Sequence, residues 1–454
     1  MLTTFLVGTL ALCLGGIVLD ESSRDEGNDI CNYKELKNVC GNGVKLSENV
    51  QLSPHQCNEH ILMIAPSGSG KSRRFMMPNV SNLKDCSIII TDPSAEIEYT
   101  CKEETKDKNI YIFNPFNPST IGYDPLANCA NEFEVRKIAK VILKNGMSKS
   151  DTGKQQEWVD MATPLFTAYL LMNYYTKQYT FDELIKNITT RPILPTKRLD
   201  PKQTKPATSS TNNSITKPKV LSILEEIMLS GVNSAILELQ MFLQVMGAPQ
   251  TLSSIRIVMN TCLQMFMDDN LYNIFHNPQI DLSIFRREES VLYIQIPERH
   301  SDYYAPLTAT FITQLLDTLL DNKEGLQIYL MFDEFTNVGE IPNICKTLAT
   351  ARKYRIAIIA AIQSLTQLVR VYGETEGHEL RELFKTIMVC AGLRDSAEYI
   401  SKILGSRTDN KGINKPLLTE DEIRRMESDE VLIICNNKKP VKDTLNPIYV
   451  GVGA

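Results

Sequence analysis

This sequence has no Cys-x-x-Cys pair, no excess of positive charge, and no Lys or Arg ahead of the apolar run at its start. Each absence excludes something. Eleven cysteines without paired spacing argue against a zinc ribbon or a dithiol redox motif. Several of them, Cys390 and Cys435 included, lie in or beside apolar runs, as buried thiols of a reducing compartment do. His55, Cys57 and His60 lie close together, but a structural zinc site needs a second ligand pair and the sequence offers none. A net charge of −6 over 454 residues removes the global electrostatic case for nucleic-acid binding, so any DNA contact must use local patches. Without a basic start, the 18-residue stretch Leu2 to Leu19 does not read as a secretory signal. As a helix it would span about 27 Å against a bilayer core of about 30 Å, which reads as a single membrane anchor, with an internal core helix as the alternative. The flank from Asp20 to Asp29 sets five acids against Arg24, so the positive-inside rule does not orient it.

What is present begins with His60-Ile-Leu-Met-Ile-Ala-Pro-Ser-Gly-Ser-Gly-Lys-Ser72. An apolar strand, Ile61 to Ile64, runs into a Gly-rich turn and a Lys-Ser pair, the layout of a phosphate-binding P-loop. Ala65, Pro66, Ser67, Gly68, Ser69 and Gly70 would form the ATP-binding turn, whose backbone N–H groups (Pro66 has none) would cradle the α/β-phosphates. Lys71 would reach the β/γ-phosphates and the Ser72 hydroxyl would ligate Mg²⁺. Ala65 departs from the pattern, which expects Gly there, and is its mildest replacement; Gly68 and Gly70 still supply positive φ. A chance Ser/Gly turn before a lysine is the bland alternative.

The second half of such a site is Leu326 to Phe332, apolar apart from Gln327, ending in Asp333-Glu334. A parallel strand covered on both faces reads this way, and carboxylates at its C-terminal end sit where α/β sheets bind ligands. Asp333 would hold Mg²⁺ through water and Glu334 would polarise the attacking water; a solvated acidic turn is the other reading. Further on, a helix with Ile344, Leu348 and Ala351 on one face carries Arg352, and a strand Ile356 to Ile362 ends at Gln363. Gln363 could sense a γ-phosphate or simply meet solvent at a strand end. Arg352 could act as an arginine finger or merely complement a helix C-terminus. The acidic strand lies 262 residues beyond Lys71 with several strands between. With Glu following Asp, this indicates an α/β P-loop NTPase, RecA-like, of the additional-strand catalytic-glutamate type.

Along the chain the expected order is an anchor (1–19), a linker (20–59), a nucleotide-binding domain (60–130 and 281–454) and an all-α insertion (131–280) between its halves. Strands are expected at 61–64, 87–91, 109–113, 291–296, 327–332, 356–362, 386–391 and 430–435. In the insertion, Val135, Ile138, Ala139 and Ile142 share one helical face, and Met161, Leu165, Ala168, Leu171 and Met172 another. Arg191 to Lys219 holds seven basic residues against Asp200 and no aromatics, a mobile segment whose DNA-facing reading competes with that of a solvated linker.

In Phe332 to Pro342, Ala351-Arg-Lys-Tyr-Arg355, Ile362-Gln-Ser-Leu-Thr-Gln-Leu368 and Tyr372-Gly373 the chain resembles the type IV secretion coupling proteins, hexameric ATPases of conjugative DNA transfer. Thr91 to Glu96, Ala397 to Gly405 and Leu418 to Ile423 extend the likeness to about residues 35–450. The resemblance implies that Arg352 is a finger acting in trans and Gln363 the phosphate sensor. It also implies a membrane-anchored motor with a cytoplasmic catalytic domain, receiving single-stranded DNA with its relaxase for a type IV secretion channel. Two departures stand out. Such proteins carry two N-terminal membrane helices, whereas one run is visible here, and an Asn-Pro-Leu segment appears as Asp124-Pro-Leu126, to which no role is given. A septal double-stranded DNA translocase shares the core, but the chain ends soon after the strand at 430–435, with no expected room for a winged-helix module. A docking receptor using nucleotide only for assembly would have no need of Glu334.

Overall fold

The computed structural model describes residues 18–19, 30–32, 36–37, 41–147, 154–195, 221–246, 249–408, 412–435 and 438–451. The chain divides into two compact units, one of residues 1–121, 280–304 and 312–454, the other of residues 122–279 and 305–311. Of the expected anchor, only Val18–Leu19 falls among the described residues, as a two-residue strand against Leu36–Lys37. No helix among the described residues is long and apolar enough to cross a membrane. The basic segment lies outside them from residue 196 to its end.

The first unit is built on a ten-stranded sheet. In chain order its strands are β1 (Cys31–Asn32), β2 (Ile61–Ile64), β3 (Cys86–Thr91), β4 (Asn109–Phe113), β5 (Ser290–Ile294), β6 (Gln327–Phe332), β7 (Ile356–Ile362), β8 (Thr386–Cys390), β9 (Glu430–Cys435) and β10 (Val441–Thr444). In space they run β1-β10-β9-β8-β2-β7-β6-β3-β5-β4. The seven strands from β8 to β4 are parallel, and β9 and β10 add an antiparallel edge. Buried strands need apolar side chains on both faces, and β2, β3, β6, β7 and β8 are buried at every residue. Gln327, the one polar residue of β6, is accommodated by a reciprocal amide pair: its Nε2 donates to Asn58 Oδ1 at 2.7 Å, and Asn58 Nδ2 donates back at 3.3 Å.

Eight expected strands coincide with β2 to β9 within one or two residues. The largest difference is at β5, which ends at Ile294 instead of 296. Beyond it the Gln295 N–H still bonds the Phe113 carbonyl at 2.9 Å, while its side chain accepts from Asn114 Nδ2 and donates to Glu98 Oε2. Strand β10 was not expected: Val-Lys-Asp-Thr is short and half polar, and Asp443 is buried because Ser47 and Asn49 donate to its carboxylate.

After the turn at 65–70, residues Lys71–Met76 form a wide helical turn, Met77 N–H donating to the Ser72 carbonyl, which continues into α1 (Met77–Asn82). The second unit is helical: α2 (Glu132–Asn145), α3 (Lys154–Thr176), α4 (Phe181–Thr190), α5 (Ile223–Ser230), α6 (Asn233–Val245) and α7 (Pro249–Leu263). Val135, Ile138, Ala139 and Ile142 of α2 are buried as one face. Helix α3 lies at the centre of this unit: from Leu165 to Asn173 every residue is buried, and only Met161 of its expected face is partly exposed. Helix α8 (Ser301–Asp321) leads into β6, α9 (Ile344–Ala351) lies between β6 and β7 in the chain, and α10 (Thr366–Leu383) comes after β7, broken at Gly373, whose φ is +79°.

His60 and Cys57 do not form a metal site. Cys57 is buried, its sulfur accepts the Val44 N–H, and burial pushes its thiol up to about 12. His60 sits at φ +66° just before β2. Its Nε2 donates to the Leu348 carbonyl at 2.8 Å, and its Nδ1 accepts the Ile358 N–H at 3.2 Å, which fixes the neutral ring. Burial lowers its pKa from 6.5 to about 4. The unfolded chain therefore takes the proton first as pH falls. The contribution is complete above about pH 6.5 and is lost toward pH 4, up to about 3 kcal/mol. His60→Asn keeps a residue tolerant of positive φ without the titration. In denaturant melts, wild type should lose stability relative to this variant across that window; parallel pH curves would contradict the assignment.

Candidate nucleotide site

Strand order gathers the site. Strands β2, β7 and β6 are consecutive in the sheet, so the chain segments leaving their C-terminal ends lie side by side: the turn at 65–72, Gln363 and Asp333-Glu334. Ala65 does not adopt positive φ, and its N–H bonds the Ile362 carbonyl at 2.8 Å. It therefore extends β2 and has no need of glycine's freedom. That freedom is required at Gly68 (φ +81°) and Gly70 (φ +85°), where the turn reverses after Ser69 N–H bonds the Pro66 carbonyl at 3.2 Å.

Three side chains meet on one carboxylate, and a fourth backs one of them. Lys71 Nζ lies 3.2 Å from Glu334 Oε2, and Gln363 Nε2 donates to the same oxygen at 3.0 Å. Ser67 Oγ donates to Gln363 Oε1 at 3.3 Å, and Thr336 Oγ1 donates to Glu334 Oε1 at 3.3 Å. Glu334 is 7 % exposed, so its charge requires such partners. Beside it, Ser72 Oγ donates to Asp333 at 3.1 and 3.3 Å. Burial raises the Asp333 carboxyl above its usual range against the pull of Lys71 and the Ser72 hydroxyl. The Asp333 N–H donates to Thr91 Oγ1 at 2.8 Å, which pins the end of β6 to β3.

Arg352 is placed otherwise. It begins a short turn after α9, about half exposed, with Nη1 2.8 Å from Glu59 Oε1 and Nη2 3.3 Å from His55 Nε2. A residue without an assigned role also belongs to this region. Asp92, 1 % exposed after β3, accepts the Ile97 and Glu98 N–H groups at 3.2 and 2.9 Å. Burial, reinforced by nearby Asp333, raises it to about 6. Its signal was present in the sequence, an acid ending an apolar run as Asp333 does.

The residues fit a nucleoside triphosphate with Mg²⁺. Ser69 Oγ is buried in the turn with no hydrogen-bond partner, an open position for a phosphate oxygen. Ser72 and Asp333 present only oxygens, as a hard cation requires. No group of three His, Cys, Asp or Glu among the described residues could hold a metal alone. The two oxygen donors Ser72 and Asp333 suit Mg²⁺, which takes one or two protein oxygens and completes its shell with phosphates and water.

The family model described as Type IV secretory system Conjugative DNA transfer matches residues 25–445. The chain belongs to that family, the type IV secretion coupling proteins. VirD4 of Agrobacterium fabrum (strain C58) and VirD4 of Rhizobium rhizogenes are each 21% identical to it over 187 residues, 36% of this chain and 28% of theirs. The chain thus matches little more than a quarter of the length of these curated relatives. Among solved structures, the plasmid coupling protein TrwB in complex with the ATP analogue ADPNP superposes with a TM-score of 0.71 at 18% identity, covering 97% of this chain and 98% of that one. TrwB with ADP and Mg²⁺ gives 0.68 at 17%, covering 90% and 89%. These neighbours establish the fold, an α/β P-loop NTPase-like core.

If Ser72 and Asp333 hold the cation, Ser72→Ala should lower the affinity for a non-hydrolysable ATP analogue by at least about tenfold with Mg²⁺ and leave it unchanged in EDTA. Calorimetric titration in both buffers checks this. Equal loss in both would move Ser72 from the metal to the phosphates.

Proposed function

We propose that this coupling protein is a membrane-anchored ATPase of the additional-strand catalytic-glutamate type. In this reading it couples ATP hydrolysis to recruitment and transfer of single-stranded DNA with its bound relaxase into a type IV secretion channel during conjugation. It works as a ring, a hexamer by family resemblance, with ATP at the subunit boundaries. The observation that carries the reading is the convergence of Lys71 and Gln363 on Glu334 Oε2. A site that only bound nucleotide would have no use for a carboxylate held there by a phosphate-binding lysine. Strand β7, which delivers Gln363, lies between β2 and β6, the arrangement this class of motor requires.

In the proposed reaction Lys71 exchanges Glu334 for phosphate oxygens. Glu334 then accepts a proton from the attacking water, and Gln363 holds that water in line. Ser72 and Asp333 would hold Mg²⁺, whose charge would offset that of the phosphates. Arg352, gripped by Glu59 and His55 in its own chain, would donate to the phosphates of a neighbouring subunit. Movement of the ring would act on the DNA backbone, a sequence-independent and salt-sensitive contact. Anchoring rests on Leu2 to Leu19, with the catalytic domain in the cytoplasm.

Glu334→Gln should reduce kcat about 10²- to 10⁴-fold while the chain still binds the ATP analogue, and should abolish stimulation by single-stranded DNA. Wild type that binds nucleotide but never turns it over, with DNA and Mg²⁺ present, would favour the docking-receptor reading instead.

A further inference from the structure

The Gln363 side chain is useful only if its backbone holds still. Gln363 is the first residue beyond β7; the Ile362 carbonyl of its peptide unit still accepts the Ala65 N–H at 2.8 Å, but the Gln363 N–H is taken by a side chain and not by the ladder. Its N–H donates to the side-chain Oε1 of Gln367 at 2.8 Å, and the Ser364 N–H donates to the same oxygen at 3.3 Å. The next N–H, of Leu365, donates to Ser396 Oγ at 3.1 Å. Three successive backbone donors are thus taken up by two side chains outside the sheet. Gln367 is half-buried in the first turn of α10. The same half-helix carries Tyr372, whose ring stacks on Phe335, the neighbour of Glu334, at 5.9 Å and 18°. The segment Thr366–Tyr372 therefore touches the site at two points, with the Gly373 break isolating it from the rest of α10.

We propose that Gln367 is a positioning residue that sets Gln363 against Glu334 by accepting the Gln363 and Ser364 N–H groups. The proposal rests on the ATPase reading for its consequence in turnover. The role requires an acceptor and no donor. It also sits at a helix N-terminus, where a carboxylate is favoured. Glu should therefore replace Gln, and Leu, of similar volume without an acceptor, should not.

The test compares wild type, Gln367→Leu and Gln367→Glu in the full chain, with Glu334→Gln alongside as the hydrolysis control. Gln367→Leu should lower kcat by about 10- to 100-fold with KM for ATP and affinity for the analogue unchanged. Gln367→Glu should restore the wild-type rate. Amide hydrogen exchange supplies a readout independent of turnover: Gln363 and Ser364 should exchange at least about tenfold faster in the Leu variant and at the wild-type rate in the Glu variant. If wild type does not hydrolyse ATP, the ATPase reading fails, and exchange still decides the placement of Gln367. Wild-type kcat and exchange in Gln367→Leu would overturn the proposal. A folded Gln367→Glu protein with impaired turnover or accelerated exchange would do the same, even where the Leu variant does not fold.

Discussion

The structure turns on a buried carboxylate that must be paired. Glu334 stands at the end of a fully buried strand, and a charge there is tolerated only with a cation and hydrogen bonds at hand. Lys71 supplies the cation and Gln363 and neighbouring Thr336 the hydrogen bonds, so the P-loop turn and the end of β7 are both tied to one side chain at the end of β6. The residues around it are arranged to keep that meeting point in register. Thr91 holds the end of β6, Ser67 holds the far side of the Gln363 amide, and Gln367 holds its backbone. The site thus depends on the sheet, because only strand order brings these segments together.

That dependence explains what could be seen in the sequence and what could not. Apart from Gln327 at the start of β6, strands β2, β6 and β7 are apolar runs, as burial on both faces requires. Asp333, Gln363 and the Gly-rich turn after β2 therefore mark strand ends in the sequence, and Ile344, Leu348 and Ala351 mark the buried face of α9. Which residues touch was not legible. Pairing of Ile61 with Ile359, or of Ile328 with Ile356, is a property of topology and leaves no local trace. Gln367 illustrates this: its role depends on a turn geometry that only the folded chain supplies. Asp92 had a local signal of the same kind as Asp333 and gained meaning only from lying beside it.

Elsewhere the limits differ in kind. Strand β10 escaped notice because its burial comes from Ser47 and Asn49, almost four hundred residues away, and not from its own composition. Arg352 was legible as a helix-end arginine, yet its partners Glu59 and His55 come from the segment leading into β2. The two units also differ in how they were read. Continuous apolar runs mark the first, and period-3.6 faces such as that of α2 mark the second, so side-chain spacing alone carries the change of character.

The central claim is that Glu334 and Gln363 act as one unit on a single water. A double-mutant cycle in kcat measures this directly, with Glu334→Gln, Gln363→Ala and the pair in the full chain with ATP, Mg²⁺ and single-stranded DNA. The account predicts that the double variant is little slower than Glu334→Gln alone, because the Gln363 contact has nothing left to orient. Rate losses that simply multiply would show that the two residues act independently and would contradict the account.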